Sequence, residues 1–235
     1  MSGPSRVRVA AAQYPIERLP DLVALKAKLS RWVEDAAAGK AELVVFPEYG
    51  AMEIAGTCGD DVAGDLGRSL AAVADALPEI DAHLVTLAQR LDIHILAPSG
   101  PSRRADGKYT NAARLIAPSG QVGVQDKMLM TPFERGWGIE AGGGPRTFDT
   151  CLGRLAVLIC YDSEFPLLGR AVTEAGARLL LVDDDPAILR MFSTLFTRHG
   201  YEVLTAVDGA AAHALALGRE LDVVLADLNM PRLDG

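Results

Sequence analysis

With 235 residues, 49% hydrophobic and 23% charged, the chain has ample apolar material for a buried core and not the composition of a disordered segment. Its net charge of −8, with no basic block anywhere, excludes non-specific attachment to a phosphate backbone, so no nucleic-acid partner is expected. No apolar run reaches membrane-spanning length and no apolar signal core follows Met1, so no membrane partner is expected, and three cysteines without a CxxC spacing (Cys58, Cys151, Cys160) suit a reducing, cytoplasmic setting.

Residues 6–13 alternate before turning apolar and predict a first strand. Leu22, Leu25, Leu29, Trp32 and Ala36 fall at helical spacing, with Gly39 as the residue that closes the helix. The run 43–46 predicts a strand that leads into Pro47-Glu48, and the polar stretch 50–61 predicts a loop. Leu66, Leu70, Val73 and Leu77 predict a helix, interrupted by Pro78, and Leu84, Leu87 and Leu91 predict a second one. Strand 93–97 follows, then a basic hairpin connection over 101–108 into strand 111–117, and a Pro118-Ser119-Gly120 turn into the run 121–124. That run leads into Gln125-Asp126-Lys127. Five glycines in 136–145 predict a loop that passes close to something or moves. Residues 146–148 and the five apolar residues 155–159 predict strands, the second ending in Cys160, before a helix over 167–175 and a strand over 177–182.

Three of these apolar runs therefore end in a carboxylate, an ammonium and a thiol, and open α/β sheets place their chemistry just beyond strand ends. Phe46-Pro47-Glu48, Asp126-Lys127, Pro132-Phe133-Glu134-Arg135 and Ile159-Cys160-Tyr161-Asp162 resemble, in order and spacing, the carbon-nitrogen hydrolase (nitrilase) superfamily. The resemblance covers about residues 6–182 and implies an α/β fold of the αββα sandwich type. It implies Cys160 as nucleophile, Glu48 as general base, Lys127 as the cation facing the oxyanion and Glu134 as a second, positioning carboxylate. Such a site needs no cofactor and takes a small-molecule amide, amides being favoured over nitriles because Tyr161-Asp162 stands where nitrilases tend to carry Trp-Glu. A thiol is mostly protonated at neutral pH, so the chemistry requires a neighbouring base or a cation that lowers its pKa, and Glu48 suits the first task if burial raises its own pKa. Cys58 and Cys151 read as small buried core hydrophobes. Glu140, Asp162 and Glu164 read as structural or rim charges, and His83 and His94 as ordinary partly buried histidines.

Beyond residue 182 the pattern changes. Asp185 can cap a helix with Pro186 at its first position, residues 201–206 and 223–226 predict strands, and residues 209–217 predict a helix between them. Val182-Asp183-Asp184 and Asp227-Leu228-Asn229-Met230-Pro231 resemble the receiver domain of two-component response regulators, over about residues 177–235. That resemblance implies an incomplete flavodoxin-like βαβαβ unit, with Asp227 as phosphoacceptor, Asp183, Asp184 and Asp227 holding Mg2+, and a histidine kinase as partner. Both modules are expected to be truncated: a hydrolase-like domain over 1–182, without the later strands that commonly make the family's dimer contacts so that a homo-oligomer is left open, and a receiver-like domain over 177–235. They share the strand 177–182, which points to a fusion at that segment, because one strand has only two hydrogen-bonding edges. Three outcomes follow from sequence: a thioester-forming amidase, a phosphorylated receiver fragment, or an inactive fusion.

Overall fold

The structure is a computed structural model that describes residues 7–176 and the single residue Ser193. The described chain falls into two units, one of Val7–Arg146 with Val157–Asp162, the other of Thr147–Ala156 with residues 163–176.

In the first unit, β1 (Val9–Ala11), β2 (Leu43–Val45) and β3 (His94–Leu96) run parallel. The long strand β5 (Tyr109–Ile116) is antiparallel to β3 and to β4 (Gly100–Arg103), which succeed each other along one of its edges, while β6 (Val122–Asp126) takes the other. Helices α1 (Leu22–Ala38) and α4 (Leu66–Leu91) pack against this sheet. Val44, Ile95 and Ile116 are register partners across three strands and form an apolar row. Leu25, Leu29 and Val33 of α1 and Val73, Leu77, Ile80, Leu84 and Leu87 of α4 join them in one core. Each such buried side chain contributes about 1.5–3 kcal/mol, so the core rests on the helical spacing legible in the sequence. The two helices begin on aspartates: Asp21 accepts from the Ala24 N–H and Asp65 from the Arg68 N–H, both at 2.8 Å.

Four local expectations are corrected. Residues 50–61 are not a plain loop: they hold a 3₁₀ turn (Gly50–Met52) and the short helices α2 (Glu53–Gly56) and α3 (Asp60–Ala63). α2 is tied down by Glu53, whose buried carboxylate accepts from the Tyr14 hydroxyl, the Glu17 N–H and the Lys28 ammonium. Pro78 does not break the helix, and α4 runs through it for 26 residues. Proline removes one hydrogen bond at a cost of about 3 kcal/mol, which the continuous buried row from Val73 to Leu87 outweighs. At the end of α1 the left-handed residue is Lys40 (φ 62°), whereas Gly39 has φ −72°.

The fourth correction concerns residues 155–159. Strand β8 (Gly153–Ala156) stops at Ala156, having paired with β7 (Thr147–Thr150) as a hairpin in the second unit, where α6 (Pro166–Glu174) also lies. Val157 and Ile159 are buried without belonging to a strand. Their apolarity records burial, which a five-residue run cannot distinguish from strand formation. The predicted strand 177–182 and the receiver-like unit after it lie outside the described residues.

Two substitutions separate these effects. Pro78 is exposed, so Pro78→Ala should raise stability by about 1–3 kcal/mol by restoring a helix hydrogen bond without loss of packing. Leu84→Ala, at a fully buried position, should lower it by about 2–5 kcal/mol. Urea denaturation of each variant against the parent chain measures both.

Candidate active site

The site is built at the ends of β2 and β6, where the chain is held from both sides. After β6 the Lys127 N–H donates to the Asn111 carbonyl of β5 at 2.8 Å, and the Lys127 carbonyl accepts from the Gly142 N–H at 2.8 Å. Gly142 is where the glycine-rich loop makes its close approach: a Cβ there would lie 2.4 Å from the Asp126 Cβ, so only glycine lets the backbone reach Lys127. After β2, the Phe46 N–H donates to Leu96 and the buried Phe46 ring anchors the turn that presents Glu48.

Lys127 is 1% exposed. An ammonium so placed requires compensating charge, and it lies 2.7 Å from Glu48 Oε1 and 2.8 Å from Glu134 Oε2. Burial alone would lower the Lys127 pKa, but hydrogen bonds to the two carboxylates carry it above the usual lysine value. Glu134 shows the converse: burial pushes its pKa up, yet the Lys127 ammonium, Thr131 and Tyr49 together hold it below the ordinary carboxylate range.

Glu134 is fixed by helix-start chemistry. It opens α5 (Pro132–Gly136), where Thr131 is the N-cap: the Thr131 hydroxyl accepts from the Glu134 N–H while Glu134 Oε2 accepts from the Thr131 N–H at 2.9 Å. The Tyr49 hydroxyl donates to Glu134 Oε1 at 2.8 Å. Burial and this bond to a carboxylate push the Tyr49 pKa far up, so Tyr49 stays a donor. Glu48 Oε1 receives a second donor, Asn111 Nδ2, at 3.0 Å.

Cys160 begins a 3₁₀ turn (Cys160–Glu164) with φ 45°, a left-handed conformation uncommon for a residue with a side chain. Asp162 stabilises the turn from beneath. Its fully buried carboxylate accepts from the N–H groups of Met128, Leu129 and Ile159 at 2.7–3.3 Å, fastening the segment that follows Lys127 to the one that precedes Cys160. Burial raises its pKa against the pull of those donors. Cys160 as a residue is exposed, and its thiol feels the charges of both Glu48 and Lys127. Burial and then the Glu48 charge push the thiol up to about 11, against smaller lowering effects from Lys127 and the Tyr161 N–H.

Of the four residues singled out from sequence, Glu48, Lys127 and Glu134 thus meet in one hydrogen-bonded network with Asn111, Tyr49 and Thr131; Cys160 feels the charges of Glu48 and Lys127, and Asp162 holds the backbone on either side. The Thr-Pro-Phe-Glu spacing of a capping box was legible, and an asparagine inside the apolar strand 111–117 was a signal passed over. Nothing in the sequence marked Tyr49. Asp162, read as a structural or rim charge, is structural and buried. His83 and His94 stay outside the network, each with its pKa lowered chiefly by burial, and Cys58 and Cys151, expected in the core, are exposed. Asp183, Asp184 and Asp227 lie outside the described residues, and no group of three or more His, Cys, Asp or Glu side chains among the described residues is placed to hold a metal ion. No helix among them is long and apolar enough to cross a membrane.

Residues 8–200 match the carbon-nitrogen hydrolase family. The chain belongs to that family. Residues 179–235 match the response regulator receiver domain, so the two matches overlap over residues 179–200. A probable hydrolase, YhcX, of Bacillus subtilis (strain 168) is 28% identical over 179 residues, which is 74% of this chain and 33% of that protein. The DNA-binding transcriptional regulator RpaA of Synechocystis sp. is 43% identical over 58 residues, 25% of this chain and 24% of the regulator. The chain thus spans a third or less of the length of these curated relatives. Among solved structures, an amidase from Nesterenkonia sp. superposes with a TM-score of 0.64 at 22% identity, covering 88% of this chain and 77% of that one, which establishes a common fold.

The pKa directions of the Lys127 network fix a pH dependence. A carboxyl held below its ordinary pKa in the folded state adds stability above the unfolded value, and that stability is lost as pH falls through the folded value. Glu134→Gln should therefore flatten the acid side of a plot of urea midpoint against pH between about 3 and 6, with the parent chain losing stability more steeply there. The Lys127 contribution has the opposite sense: it is present below the ordinary lysine value and is lost only as pH rises through the higher folded value.

Proposed function

We propose that the chain hydrolyses carbon-nitrogen bonds of small amides through a Cys160 thioester. The supporting observation is that Glu48, 2.7 Å from the Lys127 ammonium, is also the charge that, after burial, most raises the Cys160 thiol. With a thiol pKa of about 11, only about one sulfur in 10⁴ is anionic at pH 7, so a preformed thiolate is not the resting state. The base, not the cation, activates the sulfur: as Sγ attacks the amide carbon, its proton passes to Glu48. The carbonyl oxygen takes up the negative charge. Lys127 has three N–H bonds, of which Glu48 and Glu134 take two, which leaves the third to stabilise the oxyanion in this reading. The carbon-nitrogen bond then breaks, with the proton on Glu48 leaving on the amine or ammonia. Water, deprotonated by Glu48, attacks the thioester; the carboxylic acid departs and the proton returns to sulfur. Nothing in this sequence of steps consumes a cofactor. Tyr161-Asp162 after the cysteine favours amides over nitriles.

Cys160→Ala should abolish ammonia release from small aliphatic amides, and rapid acid quench of the parent chain should show a Cys160 peptide heavier by the acyl group. Ammonia release that persists in Cys160→Ala would overturn the thioester route. Glu48→Gln should depress turnover by about 10²-fold or more while raising the rate at which iodoacetamide alkylates Cys160 at pH 8, because the neighbouring negative charge is gone. A merely structural Glu48 would not link slower turnover to a more reactive thiol.

A second reading is favoured by the match of residues 179–235 to the receiver domain. In that reading Asp227 accepts a phosphoryl group from a histidine kinase. Acetyl phosphate with magnesium should then label the chain, and Asp227→Asn should remain unlabelled; equal labelling of both would remove Asp227 from that role.

A further inference from the structure

We propose that Asn111 is a positioning residue that fixes the Glu48 carboxylate against the Cys160 thiol, a role that rests on the hydrolytic reading above. Asn111 is 0% exposed, in the middle of β5 between Thr110 and Ala112, which are also buried. It touches the Lys127–Glu48 pair at both ends: its carbonyl accepts from the Lys127 N–H at 2.8 Å, and its Nδ2 donates to Glu48 Oε1 at 3.0 Å. One strand residue therefore sets the distance between the backbone that carries the cation and the carboxylate that pairs with it.

The orientation of the Asn111 amide is dictated by Glu48. Turning it over would set Oδ1 against a carboxylate oxygen, two acceptors face to face. In the orientation present, Oδ1 is buried with no hydrogen-bond partner in the protein. An amide that left Glu48 alone and satisfied both its own ends would be the better choice for stability, since an unsatisfied buried acceptor costs about 1–3 kcal/mol. The chain keeps the bond to Glu48 instead. Oε1 then holds two donors, Lys127 Nζ and Asn111 Nδ2, enough for its two lone pairs, so the acceptor capacity left for the thiol proton is on Oε2. Lys127 alone would allow the carboxylate to turn about its terminal bond and present either oxygen; two donors at fixed positions do not.

The test reads geometry independently of turnover. Iodoacetamide alkylation at pH 8 is followed by the mass of the Cys160 peptide, with the exposed Cys58 and Cys151 as internal references. Asn111→Leu, nearly isosteric and without a donor, should raise the Cys160 rate by about threefold or more, in the same direction as Glu48→Gln but less far, because the carboxylate is no longer held against the sulfur. Its kcat for amide hydrolysis should fall about tenfold or more with KM within about twofold, as for a group that acts on the chemical step. An unchanged Cys160 rate in a folded Asn111→Leu chain overturns the proposal. If that variant does not fold, the Asn111 side-chain amide resonances of the parent chain decide: a downfield Nδ2 proton that moves upfield in Glu48→Gln supports the bond, and resonances indifferent to Glu48→Gln overturn it. Absence of turnover in the parent chain would dismiss the hydrolase reading alone, since the alkylation and resonance measurements report on Asn111 without it.

Discussion

The buried ammonium of Lys127 organises the candidate site around it. Taking a lysine out of water costs several kcal/mol after relaxation, and attraction to a partner offsets this only when the geometry is tight and the remaining donors are satisfied. Lys127 meets that condition through Glu48 and Glu134, which reach it from the end of β2 and the start of α5. A loop must therefore follow each strand in a defined path, α5 must begin at Thr131 and nowhere else, and glycine must occupy position 142 so that the backbone can cover the cation. Such a pair is weak evidence for extra stability. It is strong evidence that three segments have only one mutual arrangement in which no charge is stranded.

The same charges govern the thiol. With Lys127 cationic and both glutamates anionic, the immediate surroundings of Cys160 carry a net charge of about −1, and a thiolate would make it −2. This is why burial and Glu48 outweigh the cation and keep the proton on sulfur at neutral pH. Either a base or a cation can activate a cysteine. Lys127 is already neutralised by two carboxylates, which is why the proposed chemistry assigns activation to the base.

What could be read from the residues follows from how local each feature is. Helical spacing is written along a single segment, so the apolar rows of α1 and α4 were visible, and Glu48, Lys127 and Cys160 stood out because each ends an apolar run. Pro78 misled because its local cost was plain while the burial of Ile80, Leu84 and Leu87, which overrides it, depends on a sheet formed elsewhere. The run before Cys160 misled for a related reason: burial and strand pairing ask for the same side chains. Asn111 and Tyr49 act on residues 63 and 85 positions away, and no spacing rule connects them.

The backbone at Cys160 has one more implication. A left-handed φ of 45° suits glycine and costs a residue with a Cβ on the order of 1 kcal/mol, so the position favours a residue that has no sulfur to offer. Exchange of the proposed nucleophile for glycine would relax the turn while ending its chemistry. Folding alone would thus favour glycine over cysteine at this position.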